Sequence, residues 1–377
     1  MTKIGIVGLG SLGLPVAIIF GMQYDVIGID IKKTKIKQIN NKILPDNLES
    51  NLKDSFYKTK LTVSDDIRRL NETDLVILIL PTTDTDFSII EKVLSELNGF
   101  YTGDVIISST VGVGFTREMQ RRYDRIKISY VPIRTFTGKV SEQFTLFPKL
   151  IGTFKKETYK RISNFYKKCG CKTISVIPPE KAELAKLFSN AYRNTELAIS
   201  NELGLITQSF GYEPKEIFNL VNKGDPYRNL MMPGIWGGPC LPKDTKILIK
   251  ECNKKLNFTP KILVMSEKIR REIIKRKVNE ILPTNNKISV GIEGVTFKPI
   301  EFGIKETKDS PILDLIKILK SRGVKIKIWD SNISRKKLKK LANELKVKVA
   351  MNSKDCSNCD VYVKYEGFYL KIKRIKL

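Results

Sequence analysis

The stretch from Lys3 to Asp30 limits the possible folds of this chain more than any other. Lys3-Ile-Gly-Ile-Val7 is a short apolar strand that runs into Gly8-Leu-Gly-Ser-Leu-Gly13. An apolar helical stretch follows, then a second strand from Asp25, closed by Asp30. A lone GxGxxG says little. A strand before it, a helix after it and an acid ending the next strand make a dinucleotide-binding βαβ unit. Gly8 allows the tight turn, Gly10 lets a pyrophosphate approach the backbone, and Gly13 lets the helix pack on the sheet. Asp30 can accept hydrogen bonds from ribose hydroxyls and would repel a 2′-phosphate, which predicts NAD rather than NADP. The alternative is a Rossmann-like domain that holds no nucleotide.

Two further strands support the unit. Asp74 to Pro81 is a continuous apolar run of the kind buried in a parallel sheet, and it ends in Pro81-Thr82-Thr83. Asp104 to Thr110 is another, ending in Ser108-Ser109-Thr110. Small polar residues at two strand ends outline a ligand crevice, although hydroxyls there also serve as caps. From Pro179 to about Gln208 the pattern is helical, and a second long helix runs from about Lys261 to Ile281. A second α/β unit begins near Lys287, with strands Ile288–Ile292 and Val324–Trp329, a helix Pro311–Ser321 and a strand Asp360–Lys364. It lacks GxGxxG, so no second intact dinucleotide is expected there. The fold class expected is α/β: a Rossmann-type domain over 1–177, a central helical spacer and dimer surface over 178–282, and a Rossmann-like domain over 283–377.

The chemistry centres on Pro233-Gly-Ile-Trp-Gly-Gly-Pro-Cys-Leu-Pro-Lys-Asp244. Ile247, Leu248 and Cys252 continue it at helical spacing, which places Cys240 just ahead of a helix start with Pro242 in the first turn. The unpaired N–H groups and dipole of a helix start favour a thiolate, and Lys243 adds positive charge. A glycine-rich turn ending in a buried structural cysteine is the alternative. Lys186 and Asn190, at i and i+4, project from one helix face and can hold a developing oxyanion. For an isolated pair, a solvated lysine above an incidental asparagine is the stronger reading.

Composition removes other classes. There is no histidine, so no Ser-His-Asp triad, Cys-His dyad or His-ligated metal can form. Six cysteines in 377 residues do not make a disulfide scaffold, which points to a reduced, cytoplasmic protein. Cys356-x-x-Cys359 has half the ligands of a zinc site and no second pair nearby, so no metal is expected. No secretory pattern or membrane span is expected, since no run approaches ~20 apolar residues. The charge of +27 comes from lysines spread along the chain, including the short run Lys371–Lys376, and reads as a lysine-rich surface rather than a specific nucleic-acid site.

Gly237-Gly-Pro-Cys-Leu-Pro-Lys-Asp-Thr245, together with the N-terminal fingerprint, resembles the UDP-glucose/GDP-mannose dehydrogenase family, and most of all the short bacterial UDP-glucose 6-dehydrogenases. Ser109-Thr-Val, Ala182-Glu-Leu-Ala-Lys-Leu-Phe-Ser-Asn190, Asn201-Glu202, Phe297-Lys298 and Ser310-Pro311 extend the resemblance over nearly the whole chain. It implies oxidation of the C6 hydroxyl of a UDP-sugar to a carboxylate in two hydride transfers to NAD. Cys240 would form a thiohemiacetal and then a thioester, which water cleaves. The resemblance implies that Lys186 and Asn190 steady the C6 oxygen, and that Asp244 and Thr110 position or activate water. NAD contacts would come from Gly8, Gly10, Leu12, Gly13, Asp30, Lys35, Thr82, Thr110, Lys243 and Lys308. Gly237 would line the sugar site, Lys298 would contact the UDP portion, and Arg228 would reach the sugar of a neighbouring subunit in a homodimer built on the central helices.

The chain departs from the family pattern where a glutamate held to assist thioester hydrolysis, and a second one four residues on, read Ile133 and Thr137. The loop between Arg228 and Gly237 is several residues shorter, and the family's Asp-x-Arg-x-Ser-Pro reads Glu306-Thr-Lys308-Asp-Ser-Pro311. UDP-glucose is the first expectation for the substrate. A UDP-N-acetylhexosamine is the second, since Tyr192-Arg193 is similar to those relatives. The glutamate losses also admit an enzyme that stalls at the aldehyde or thioester stage, or an NAD- and sugar-nucleotide-binding protein without turnover.

Overall fold

A computed structural model describes residues 2–45, 48–136, 138–227, 229–282, 288–297, 307, 309–367 and 369–375. The chain divides into two compact units, Met1–Ser189 and Asn190–Leu377. The first unit runs β1 (Lys3–Val7), α1 (Gly13–Gly21), β2 (Asp25–Ile29), α2 (Lys33–Asn40), α3 (Lys53–Lys58), β3 (Leu61–Ser64) and β4 (Leu75–Leu78). It continues through α4 (Ser88–Asn98), β5 (Asp104–Ile107), α5 (Phe115–Arg122), β6 (Lys127–Tyr130), α6 (Val140–Gln143), β7 (Lys149–Gly152), α7 (Lys156–Lys168) and β8 (Thr173–Val176). Helix α8 (Glu180–Ser209) carries the chain into the second unit.

The strands of the first unit order as β3-β2-β1-β4-β5-β6-β7-β8. The strand order reverses between the parallel neighbours β1 and β4, the place where doubly wound sheets hold ligands. Alternation along the strands splits the core onto two faces. Ile4, Ile6, Leu75, Ile77 and Ile106 pack on one face, while Val7, Val76, Leu78, Val105 and Ile107 pack on the other. α1 is apolar all round and buried along nearly its whole length, as a helix lying under the crevice must be. β7 and β8 were not evident in the sequence. β7 runs antiparallel to β6 and parallel to β8, which sits at the edge of the sheet.

The second unit contains α9 (Pro214–Asn222), α10 (Leu241–Leu256), α11 (Lys261–Ile281), β9 (Ser289–Glu293), α12 (Pro311–Ser321), β10 (Lys325–Trp329) and α13 (Arg335–Leu345). β11 (Lys348–Val349), α14 (Ser353–Ser357), β12 (Val361–Glu366) and β13 (Tyr369–Arg374) complete it. Its sheet orders as β11-β10-β9-β12-β13, with β13 antiparallel to β12. The basic run expected only as solvated surface is therefore, up to Arg374, an edge strand. Lysines on such a strand discourage pairing with another chain.

The two sheets open in the same way. Gly8 N–H donates to Ile29 O and Gly294 N–H to Trp329 O, each at 2.8 Å, and both glycines have φ of +92°. Asp30 after β2 and Asp330 after β10 then accept from the turn that follows the first strand. Leu9 N–H donates to Asp30 Oδ2 at 3.1 Å, and Val295 N–H to Asp330 Oδ2 at 2.7 Å. Each aspartate's Oδ1 accepts from the residue two further on, Lys32 at 3.0 Å and Asn332 at 2.8 Å.

Candidate active site

In the first unit the turn after β1 meets the requirements of a pyrophosphate cradle. A Cβ on Gly8 would lie 2.3 Å from Ile79 O, and one on Gly13 would lie 1.8 Å from Gly8 O, so both positions exclude side chains. A Cβ on Gly10 would meet nothing within 4 Å. That open ground, beside the start of α1 and its unpaired N–H groups, suits an anion. Leu12 is the N-cap of α1. The residues present therefore fit a dinucleotide.

Asp30 is buried and its carboxylate also accepts from Lys35 Nζ at 2.5 Å, while Lys35 donates to Leu9 O at 3.0 Å. Burial pushes the Asp30 carboxyl up, but the Lys35 ammonium and the Lys32 and Leu9 N–H groups outweigh it and hold it below the usual carboxylate range. At the neighbouring strand ends Thr82 Oγ1 donates to Thr110 O at 3.0 Å. Ser109 Oγ accepts from Leu80 N–H and donates to Leu80 O, both at 2.8 Å. The structure thus brings Thr82 and Thr110 together at the edge expected to hold the cofactor.

The start of α8 is fixed to the same unit. Glu183, fully buried, accepts from Gly114 N–H at 2.6 Å, Thr116 N–H at 2.9 Å and Thr116 Oγ1 at 2.6 Å, capping α5. Its burial nevertheless pushes the carboxyl above its ordinary range. One turn further along, Lys186 Nζ donates to Ile133 O at 3.1 Å. The ammonium expected to hold an oxyanion is thus set against the backbone at a position where the family pattern has a glutamate.

The cysteine segment belongs to the second unit. Cys240 is the N-cap of α10, Pro242 lies in the first turn, and Asp244 N–H donates to Cys240 O at 2.9 Å. Cys240 is exposed, whereas Cys171, Cys356 and Cys359 are buried. Cys240 is therefore not the buried cysteine that the structural alternative describes. Gly238, at φ +87°, donates to Asp309 O at 2.7 Å, and a Cβ on it would lie 3.0 Å from the Phe297 ring. A Cβ on Gly237 would lie 3.1 Å from Asp309 O and 3.2 Å from the Pro311 ring, a tight fit that a side chain could enter only if those neighbours gave way. Asp244 has no exposed surface. Its Oδ2 accepts from Asn190 Nδ2 at 2.5 Å, and its Oδ1 lies 3.4 Å from Lys243 Nζ. Cys240 and Asp244 are thus held at one helix start, with Asn190 and Lys243 bracketing the carboxylate. Arg228, Lys298, Lys308 and Thr137 lie outside the described residues.

Reading the sequence assigned no role to three participants. Asn194 and Trp236 are buried in the second unit, with Trp236 Nε1 donating to Asn194 Oδ1 at 2.8 Å. Asn201 Oδ1 accepts from Gly234 N–H at 3.1 Å. The signal was present in the spacing of Asn190, Asn194 and Asn201, which repeats along one face of a helix.

Comparison with known proteins now decides the family. The profile of the UDP-glucose/GDP-mannose dehydrogenase family, NAD binding domain, matches residues 2–170, and that of the family's central domain matches residues 180–271. The chain belongs to the UDP-glucose/GDP-mannose dehydrogenase family. It is 26% identical over 361 residues to a UDP-N-acetyl-D-mannosamine dehydrogenase of Pyrococcus horikoshii, covering 87% of this chain and 83% of that protein. It is 27% identical over 358 residues to a UDP-glucose 6-dehydrogenase of Campylobacter jejuni, covering 89% and 88%. The solved structure of a UDP-glucose dehydrogenase from Pyrobaculum islandicum shares the fold, with a TM-score of 0.86, 18% identity and coverage of 98% and 95%. The N-terminal unit is therefore this dehydrogenase family's NAD-binding domain. Among the described residues no helix is long and apolar enough to cross a membrane.

Proposed function

We propose that this chain oxidises the C6 hydroxyl of a UDP-sugar to a carboxylate through a covalent intermediate on Cys240. The observation that carries the reading is an exposed Cys240 capping α10 after two glycines, with a buried Asp244 one turn on. NAD, when bound, accepts one hydride in each of two successive oxidations. The thiolate of Cys240, favoured by the helix start, adds to the C6 aldehyde to give a thiohemiacetal. Oxidation of that adduct leaves a thioester, and water then releases the uronate and regenerates the thiol. Lys186 and Asn190 steady the C6 oxygen. Asp244, oriented by Asn190, holds the attacking water.

Ile133 presents a carbonyl rather than a carboxylate, so the last step lacks the family's base. That observation supports a second reading, a protein that binds NAD and the sugar nucleotide and turns over slowly or not at all. For the sugar, the relatives named as UDP-N-acetyl-D-mannosamine dehydrogenases favour an N-acetylhexosamine, while the Cys-Leu-Pro-Lys-Asp segment favours glucose. We also propose a homodimer through the central helices, supported by Tyr192, Ile199, Ile206, Phe210 and Ile262, which are exposed. Sedimentation would check it.

The test of function is NADH stoichiometry with UDP-glucose, UDP-N-acetylglucosamine and UDP-N-acetylmannosamine, followed by intact-protein mass. Two NADH per sugar supports full oxidation. One NADH with a cysteine adduct supports arrest after the first oxidation, and tight binding without reduction supports the second reading.

A further inference from the structure

Between Gly204 and Asn190, one face of α8 holds the segment that leads to Cys240. A Cβ on Gly204 would lie 2.8 Å from Pro233 Cγ, so helix and segment touch there. Asn201 then accepts from Gly234 N–H, Asn194 from Trp236 Nε1, and Asn190 donates to Asp244. The segment runs antiparallel to the helix and is tied to it on both sides of the nucleophile. Asn194 is the most deeply set of these ties, with no exposed surface, and Trp236 has none either. Behind it, Asn194 Nδ2 donates to Ser266 Oγ at 3.1 Å and to Glu267 Oε1 at 2.9 Å, both on α11. Arg270 Nε lies 3.5 Å from Glu267 Oε2, closing a buried chain from an indole to an ion pair.

Nothing in a Rossmann core or a helix start requires this chain. An apolar side chain would fill the place of Asn194 with no polar group to satisfy. The bonds that join Trp236, Asn194, Ser266 and Glu267 instead favour one geometry, because each buried partner is costly to leave unpaired. We infer that Asn194 is a positioning residue for Cys240, acting through Trp236 to fix the path of Ile235–Pro239 and so the place of the sulfur at the start of α10. This deepens the covalent role proposed for Cys240 and rests on it.

The test uses the full chain with Trp236→Phe, Asn194→Leu and the double variant, and it reads two quantities. The first is the rate at which iodoacetamide alkylates Cys240, followed by peptide mass, which needs no turnover. The second is the split between kcat and KM with the UDP-sugar that the parent oxidises. Trp236→Phe should change alkylation of Cys240 by about threefold or more and lower kcat about tenfold, with KM and NADH affinity within about twofold. The double variant should be no worse than the worse single variant, since both cut one path.

Asn194→Asp gives an independent signature. It keeps an acceptor for Trp236 but sets a second carboxylate against Glu267, beside Arg270. Relative to the parent at each pH, Cys240 should regain its normal alkylation rate as the medium is acidified and the new group protonates. If Asn194→Leu does not fold, Trp236→Phe, which removes a single N–H from the network, carries the test. Unchanged alkylation and kcat in Trp236→Phe, or additive losses in the double variant, would overturn the inference. If the parent shows no turnover, the alkylation arm still decides the positioning role while the covalent reading fails separately.

Discussion

Asp30→Asn should weaken the N-terminal unit and its choice of cofactor together, for one structural reason. Two carboxylate oxygens serve three donors, Leu9 N–H, Lys32 N–H and the Lys35 ammonium. An asparagine offers one carbonyl oxygen, and its best placement keeps Leu9 and Lys35 while turning NH₂ against the Lys32 N–H. One donor left facing another costs about 1–3 kcal/mol. The bond to Lys35, whose side chain is 24% exposed, adds no more than about 1 kcal/mol after screening. The sum, roughly 1–4 kcal/mol, corresponds to a fall in Tm of about 2–16 °C for a unit of this size. The pH dependence has a fixed sign. Asp30's folded pKa lies below its unfolded value of about 3.9, so its contribution is complete above about pH 5 and is lost as pH falls through the folded value. The gap between parent and variant should therefore be constant from pH 8 to about pH 5 and close in acid. In cofactor binding the parent should prefer NADH to NADPH by at least about tenfold, near 1.4 kcal/mol. The variant removes the charge that repels a 2′-phosphate and leaves Lys35 without its carboxylate, so the ratio should move toward one. Thermal melts across pH and fluorescence titrations with both cofactors read the two effects. An unchanged melting profile and an unchanged ratio would refute the role assigned to Asp30.

Cys240→Ser should keep NAD and UDP-sugar binding by calorimetry but release no uronate, while Cys169, Cys171, Cys356 or Cys359 replacements leave turnover nearly intact. With no carboxylate at Ile133 or Thr137, NADH should appear in a burst of about two per active site. A slow phase should follow with a uronyl adduct on Cys240, because a positioned base contributes about 10²–10⁴-fold. A linear time course without adduct would mean that Asp244 with Thr110 already supplies that base. Lys149 is buried 3.9 Å above the Phe144 ring, and burial pushes its ammonium down to about 8. Because its folded pKa is below its unfolded value of about 10.4, burial of the charge costs stability below pH 8, and the cost disappears as pH rises toward 10. Lys149→Met should therefore raise Tm at pH 6.5, by on the order of 2 kcal/mol in stability, and the gain should shrink at pH 9.5.

What the sequence revealed was local. Gly8, Gly10, Gly13 and Asp30 could be read because a turn, a close approach and a strand end each demand one residue type within a short span. Cys240 at a helix start could be read because Pro242 and the apolar spacing after it lie within three turns. The edge strands were harder. β8 has an intermediate and exposed burial pattern and so no alternation to detect, and β13 has no buried residue and turns basic from Lys371. Asn194 was missed for a different reason. A helical asparagine looks like surface until Trp236 and Glu267, 42 and 73 residues away in sequence, are placed around it.

The matched openings of the two sheets bear on how this chain could be re-engineered. The glycine after the first strand and the aspartate after the second form a socket that appears twice, with the same φ and the same donors. What differs is the fitting placed in each socket: Leu9-Gly-Ser-Leu-Gly13 in one, Val295-Thr-Phe297 in the other, with Lys35 set beside Asp30. The inserts can therefore be exchanged while both aspartates go on holding the turns, and in the first socket Asp30 serves as anchor and cofactor selector at once.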